Sequence, residues 1–171
     1  HLQPVILLAY QLGQRFGEII QLTWDRVDLR RGFILLRSID TKTKQRREVP
    51  MTPAVRLMLQ KLAKVRRLET NRVFLYKGKP LGRVSRAFKS ALKDAGLTDF
   101  KFHDLRHDVA STLTMAGAPQ RTVMEIPGHK DPRMTLQYQH LTPAHLRNAM
   151  HTLDKTSISL SASGAIITEA L

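Results

Sequence analysis

Two histidines and an arginine crowd one turn of chain in FHDLRHD: His103, Arg106 and His107, with Asp104 beside the first. If this stretch is helical, positions three and four apart lie on one face, so all three side chains point the same way. Imidazoles at that spacing are how a helix presents two ligands to zinc, with an adjacent acid as base. The zinc reading needs a third ligand, for which His129 is the candidate. Asp104 is shorter than the glutamate such helices place there, and Arg106 would repel the ion from the same face. A negative substrate suits the group better. Arg106 can fork two hydrogen bonds to the non-bridging oxygens of a phosphate, and His103, one turn away, can donate or accept a proton there. A transition state with extra negative charge calls for a second cation. Arg15 in LGQRFGEI can supply it, although a salt bridge to Glu18 would also account for that residue. The nucleophile would be Tyr138 in GHKDPRMTLQYQHL, nine residues after His129. A free phenol titrates near about 10 and is a poor nucleophile at neutral pH. Arginines and imidazoles around it make its phenolate easier to form. For His107 alone, packing or capping is the better role.

The charge balance also favours an anion. The 171 residues carry 28 Lys+Arg against 14 Asp+Glu, a net charge of +14 with a pI near 10.8. A surplus of that size makes a positive field whose commonest partner is nucleic acid, although a single run such as KLAKVRRLE is ordinarily a solvated helix face. There are no cysteines, which excludes disulfides and cysteine-ligated zinc and fits a reducing cytoplasm. No apolar run approaches the roughly 18 residues of a membrane span. PVILLAY is short and has no basic flank, so it does not read as a signal peptide.

The elements that would position these residues can be read from spacing and caps. Val5, Ile6, Leu8, Ala9 and Leu12 recur at helical intervals up to Gly13, and a short helix follows through FGEIIQL, which puts Arg15 at the bend between them. Trp24 reads as core. GFILLR, REVPM and RVFLY read as strands, the first two joined by a charged hairpin tip, SIDTKTKQR, and the third turned by KGKP. Thr52-Pro53 is a cap followed by proline at the first helical position, opening a helix with Val55, Met58, Leu59, Leu62 and Val65 on one stripe. Further helices are expected over 83–95, 103–116, about 120–126, 132–139 and 143–153, with Gly96 and Gly117 as stops. The fold class expected is α+β, mainly α-helical, with a small three-stranded antiparallel sheet at the edge.

In order along the chain, LGQRFGEI, TKTKQRREVPM, HDLRHDVASTL, EIPGHKDP and MTLQYQHL resemble the catalytic domain of the tyrosine site-specific recombinases, the phage integrase family. The resemblance runs from about Ala9 to about Leu146. It implies that Arg15 and Arg106 clamp the scissile phosphate of a DNA strand and that His103 acts as acid/base and phosphate ligand. His129 would hydrogen-bond the phosphate, Lys42 would protonate the leaving 5′ oxygen, and Tyr138 would be the nucleophile. Glu18 and Asp104 match supporting positions. Lys42, Lys44, Arg46 and Arg47 of the hairpin would contact DNA. No metal and no cofactor are implied.

The resemblance further implies double-stranded DNA as partner, a homo-oligomer that is tetrameric on DNA, accessory bending or directionality proteins, no membrane, and a cytoplasmic, nucleoid-associated setting. Residues 1–153 would form the catalytic domain. Residues 154–171 would be a tail exchanged between subunits, and the family's N-terminal DNA-binding domain would lie outside this chain. A type IB topoisomerase uses a similar constellation, but the hairpin and the close GH-to-Tyr spacing favour a recombinase. A non-catalytic DNA-binding remnant conflicts with the complete set of six catalytic positions, and a metallohydrolase comes last. Pro127 stands where the family has an apolar helix former, so the helix end before His129 is expected to be distorted and His129 displaced.

Overall fold

The computed structural model describes residues 1–36, 46–129, 131–133 and 150. Helix α1, Leu2–Leu12, buries Val5, Leu8, Ala9 and Leu12, the one-face spacing that drives an amphipathic helix onto a core. It stops at Gly13, which takes the left-handed conformation (φ 64°) and returns its N–H to the Ala9 carbonyl at 2.9 Å. The chain turns through Gln14 and Arg15 into α2, Phe16–Ile20, and Glu18 reaches back to accept the Arg15 backbone N–H at 3.0 Å.

A three-stranded antiparallel sheet follows, built from β1 (Val27–Asp28), β2 (Phe33–Leu36) and β3 (Arg47–Pro50). Ile34 pairs with Val49 and Leu36 with Arg47, and all four of these side chains are buried. The sheet has three strands, but its membership differs from the expectation. Its third strand is Val27–Asp28, whereas part of RVFLY forms β4 (Leu75–Tyr76), which pairs with β5 (Lys79–Pro80) in a separate hairpin. The turn in KGKP satisfies that strand locally, leaving the sheet edge to a two-residue segment too short to carry a pattern.

Helix α3, Pro53–Lys64, starts where Thr52 Oγ1 accepts the Val55 N–H at 3.4 Å. Val55 and Leu59 are buried, whereas Val65, expected on the same stripe, is past the helix end and 73% exposed. Helices α4 (Ser85–Asp94), α5 (Asp104–Met115) and α6 (Gln120–Glu125) complete the described part. The expected helices over 132–139 and 143–153 lie largely outside the described residues. Leu8, Ile19, Leu22, Trp24, Ile34, Val49, Val55, Leu59 and Phe74 form one core cluster under α1, the sheet and α3. Each large apolar side chain buried there contributes about 1.5–3 kcal/mol before entropy is charged against it. The result is a rigid floor beneath the corner at Arg15.

Candidate functional site

Three separated segments meet at this corner: the α1–α2 bend, the start of α5 and the turn after α6. Aromatic packing fixes the first two against each other. Phe16, next to Arg15, meets Phe102, next to His103, edge to face at 5.2 Å, and Phe102 also meets Phe88 of α4 at 5.4 Å. Buried aromatic pairs of this geometry add a specific orientation to their area burial.

Arg106, on the first turn of α5, is 1% exposed. Its Nη1 donates to the carbonyls of Gly13, at 2.9 Å, and Pro127, and its Nη2 donates to that of Gly128 at 3.2 Å. Arg15 Nη2 donates to the same Gly128 carbonyl at 3.1 Å, while its Nη1 pairs with Glu18 at 3.1 Å. Two guanidiniums therefore converge on one backbone oxygen. Burial, then the charge of Arg15, lowers the Arg106 pKa to about 9, with Glu18 opposing; at neutral pH it remains a cation. Its Nε has no partner among the described residues, a buried donor still to be satisfied.

His129 follows directly. It is 6% exposed, its backbone N–H bonds the Met124 carbonyl at 2.8 Å, and neither ring nitrogen has a partner among the described residues. Burial first, then the charges of Arg106 and Arg15, push its pKa down to about 4. The ring is thus neutral and offers one donor and one acceptor. His103, at the N-terminal end of α5, is more open and stacks edge-on against His107 at 4.9 Å. Its pKa is lowered by burial, then by His107, Arg106 and Arg15, against the pull of Asp104. Asp104 itself accepts the Lys101 backbone N–H at 2.7 Å and so holds the turn that leads into His103.

The structure therefore places Arg15, Glu18, His103, Arg106 and His129 around one corner. Lys42, Lys44 and Tyr138 lie outside the described residues. Pro127 does interrupt the helix: α6 ends at Glu125, and the chain turns through Gly128 at φ 81°. The turn does not carry His129 away from the arginines, because the Pro127 and Gly128 carbonyls are held by them.

Arg46 is exposed, 3.7 Å from Glu48. Arg47, expected beside it among the DNA contacts, is turned inward instead and is 8% exposed. Residues alternate faces along a strand, and Arg47 shares the buried face of β3 with Val49. Its Nη2 donates to Gln14 Oε1 at 2.8 Å, Glu18 Oε2 at 2.9 Å and the Pro127 carbonyl at 3.1 Å. Gln14 was not picked out from the sequence at all; it is 2% exposed, and its amide also donates to the Leu12 and Ile126 carbonyls. Beside His129 opens a cavity of about 560 Å³, lined by Arg46, Arg47, Arg121, Glu125, Gly128 and His129 among others. Among the described residues, no group of three or more His, Asp or Glu is placed to hold a metal ion.

What this arrangement can do follows from its charge. Arg15, Arg106 and Arg47 are cations, Glu18 alone of the acids is bonded within the cluster, and both imidazoles near the arginines are held neutral. A phosphate would find fixed donors already oriented, and its arrival would raise the proton affinity of His103 and His129.

Residues 1–145 match the family model described as "Phage integrase family". The integrase of Salmonella phage P22 is 32% identical over 168 residues, covering 90% of this chain and 42% of the relative. Tyrosine recombinase XerC of Lactobacillus leichmannii is 31% identical over 155 residues, covering 84% and 52%. The chain thus spans about half the length of the curated relatives it matches. Among solved structures, the Tn1549 transposon integrase in complex with a circular intermediate DNA superposes with a TM-score of 0.72 at 25% identity, over 88% of this chain and 58% of that one. The catalytic domain of bacteriophage HP1 integrase does so with a TM-score of 0.64 at 27% identity, over 88% and 80%.

Proposed function

The chain belongs to the phage integrase family, and on that premise we propose that it cuts and rejoins DNA strands at specific sites through a covalent phosphotyrosyl intermediate. The observation that carries this proposal is the convergence of Arg15 and Arg106 on the Gly128 carbonyl, with the neutral His129 ring beside them. The two guanidiniums would hold the non-bridging oxygens of the scissile phosphate, and His129 would donate a further hydrogen bond. The phenol oxygen of Tyr138 attacks phosphorus, His103 takes the phenol proton, and the bond to the 5′ oxygen breaks as Lys42 protonates it. A 3′-phosphotyrosyl ester and a free 5′ hydroxyl result. The 5′ hydroxyl of another strand reverses the steps, returning the phenol. Bond energy stays in the ester, so no nucleotide cofactor enters, and the fixed cations supply the charge stabilisation that metal ions provide in many other phosphoryl transfers.

Double-stranded DNA is the proposed partner. A solved relative, the Tn1549 transposon integrase, is complexed with DNA, and the chain carries a net charge of +14. Lys42, Lys44 and Arg46 would contact its backbone. A tetramer on DNA, with residues 154–171 of one subunit docked on the next, and accessory bending proteins belong to the same proposal. No helix among the described residues is long and apolar enough to cross a membrane.

The test is Tyr138→Phe in the intact protein with a nicked suicide duplex. Only the phenol oxygen can form the ester, whereas affinity comes mainly from phosphate contacts. The variant is expected to bind the duplex nearly as well as the wild type and to form no denaturant-resistant adduct, and the wild type to form the adduct in excess chelator. An adduct retained by the variant would overturn the assignment.

A further inference from the structure

We infer that Arg47 is a positioning residue for strand cleavage, built into β3 to hold both clamp arginines and the His129 turn in one geometry; this rests on the recombinase proposal. One nitrogen of its guanidinium bonds three segments that are distant in sequence: Gln14 from the α1–α2 bend, Glu18 from α2, and the Pro127 carbonyl from the turn after α6. Each contact leads on to the site. The second oxygen of Glu18 holds Arg15 at 3.1 Å, and the Pro127 carbonyl also accepts from Arg106. Arg47 is therefore one acceptor away from each clamp arginine.

Packing ties the same side chain to His129. A Cβ on Gly128 would lie 2.6 Å from the Arg47 guanidinium carbon and 3.1 Å from its Nε, nearer than such atoms pack, so Arg47 occupies the space a side chain there would need. A third guanidinium buried beside two others is electrostatically unfavourable, and a core chosen only for stability would hold an apolar residue. Its retention fits a geometric task, since a planar fork can serve several acceptors whose relative positions it then fixes. Arg47 also lies five residues beyond Lys42, so it sets where the chain leaving that lysine enters the sheet. At 8% exposure it cannot lie along a DNA backbone as a surface contact does.

The experiment compares the intact wild-type protein with R47K and Q14A, with unfolding curves confirming that each folds. A lysine keeps the charge but loses the fork; Q14A keeps Arg47 and removes one of its acceptors. At saturating suicide duplex, adduct formation by R47K should fall about 100-fold, the scale on which small misplacements at a reacting centre act. Q14A should fall less. The salt dependence of duplex binding should be unchanged in both. In DNA-free protein, the His129 ring, followed by NMR, should titrate above its wild-type value of about 4 as the turn loosens. An R47K protein with wild-type adduct rates and wild-type His129 titration overturns the inference. So does a salt slope shallower by about 1, the mark of a lost phosphate contact. If the wild type itself forms no adduct, the recombinase proposal fails on its own, and the His129 titration alone then decides whether Arg47 sets this geometry.

Discussion

The arginines inside the α1–α2 corner and those on the outer face of the sheet put the same side chain to opposite uses. Outside, Arg31 and Arg46 share Glu48 at 3.6 and 3.7 Å, with the arginine side chains 58% and 71% exposed. Such pairs are solvated, screened and worth about 0–1 kcal/mol at most. Inside, Arg47 meets Glu18 at 2.9 Å with both side chains almost fully buried, and Arg106 is held by three carbonyls. Buried ion pairs lose much of their Coulomb attraction to desolvation, so the inner cluster is poorly explained as a source of stability. What it supplies is fixed direction. The outer arginines contribute field; the inner ones contribute geometry.

That contrast can be broken, or made sharper, by substitutions on each side of it. The largest effect is expected at Arg106→Lys, where a single ammonium replaces a fork serving Gly13, Pro127, Gly128 and the substrate. Single-turnover adduct formation should drop about 10²–10³-fold, as when one oriented donor to a developing charge is lost. A drop of only a few-fold would mean that charge alone suffices and the distinction is empty. Gly128→Ala comes next. It forces a side chain into the left-handed region and into the Arg47 guanidinium, and should cost about 1–3 kcal/mol in chemical denaturation. Unchanged stability would show that Arg47 yields readily and is not a rigid brace. The smallest effect belongs outside. Arg31→Ala should shift stability by no more than about 0.5 kcal/mol in the same assay.

The same contrast shows what can be read from sequence. Helices were legible because their apolar stripes and stops are local: Val5 to Leu12 with Gly13 after them, and Thr52-Pro53 ahead of Val55. The site residues Arg15, His103, Arg106 and His129 were legible by type and by motif order. The strand at Val27–Asp28 was not, because a two-residue strand exists only through its partner, whereas RVFLY carries stronger β character yet pairs with its own turn. The inward course of Arg47 was missed because four basic side chains in TKTKQRR read as one solvated run. Its parity with Val49 in REVP was the available signal, since a strand that buries Val49 also buries Arg47. Gln14 offered no signal; its value comes wholly from what folds around it.

The clamp is also a record of assembly order. Arg15 waits on a carbonyl 113 positions further along, and Arg106 on one 93 positions back. Closing such long loops must follow the collapse that makes them worthwhile, and contacts of this span are what slow folding. A chain emerging from the ribosome thus carries both arginines well before it carries the Pro127–Gly128 turn that organises them. Until that turn docks, the nascent polypeptide is cationic and can stick to nucleic acid, but it lacks the oriented donors that cleavage would need. Cutting ability is therefore acquired last, as a property of the finished fold.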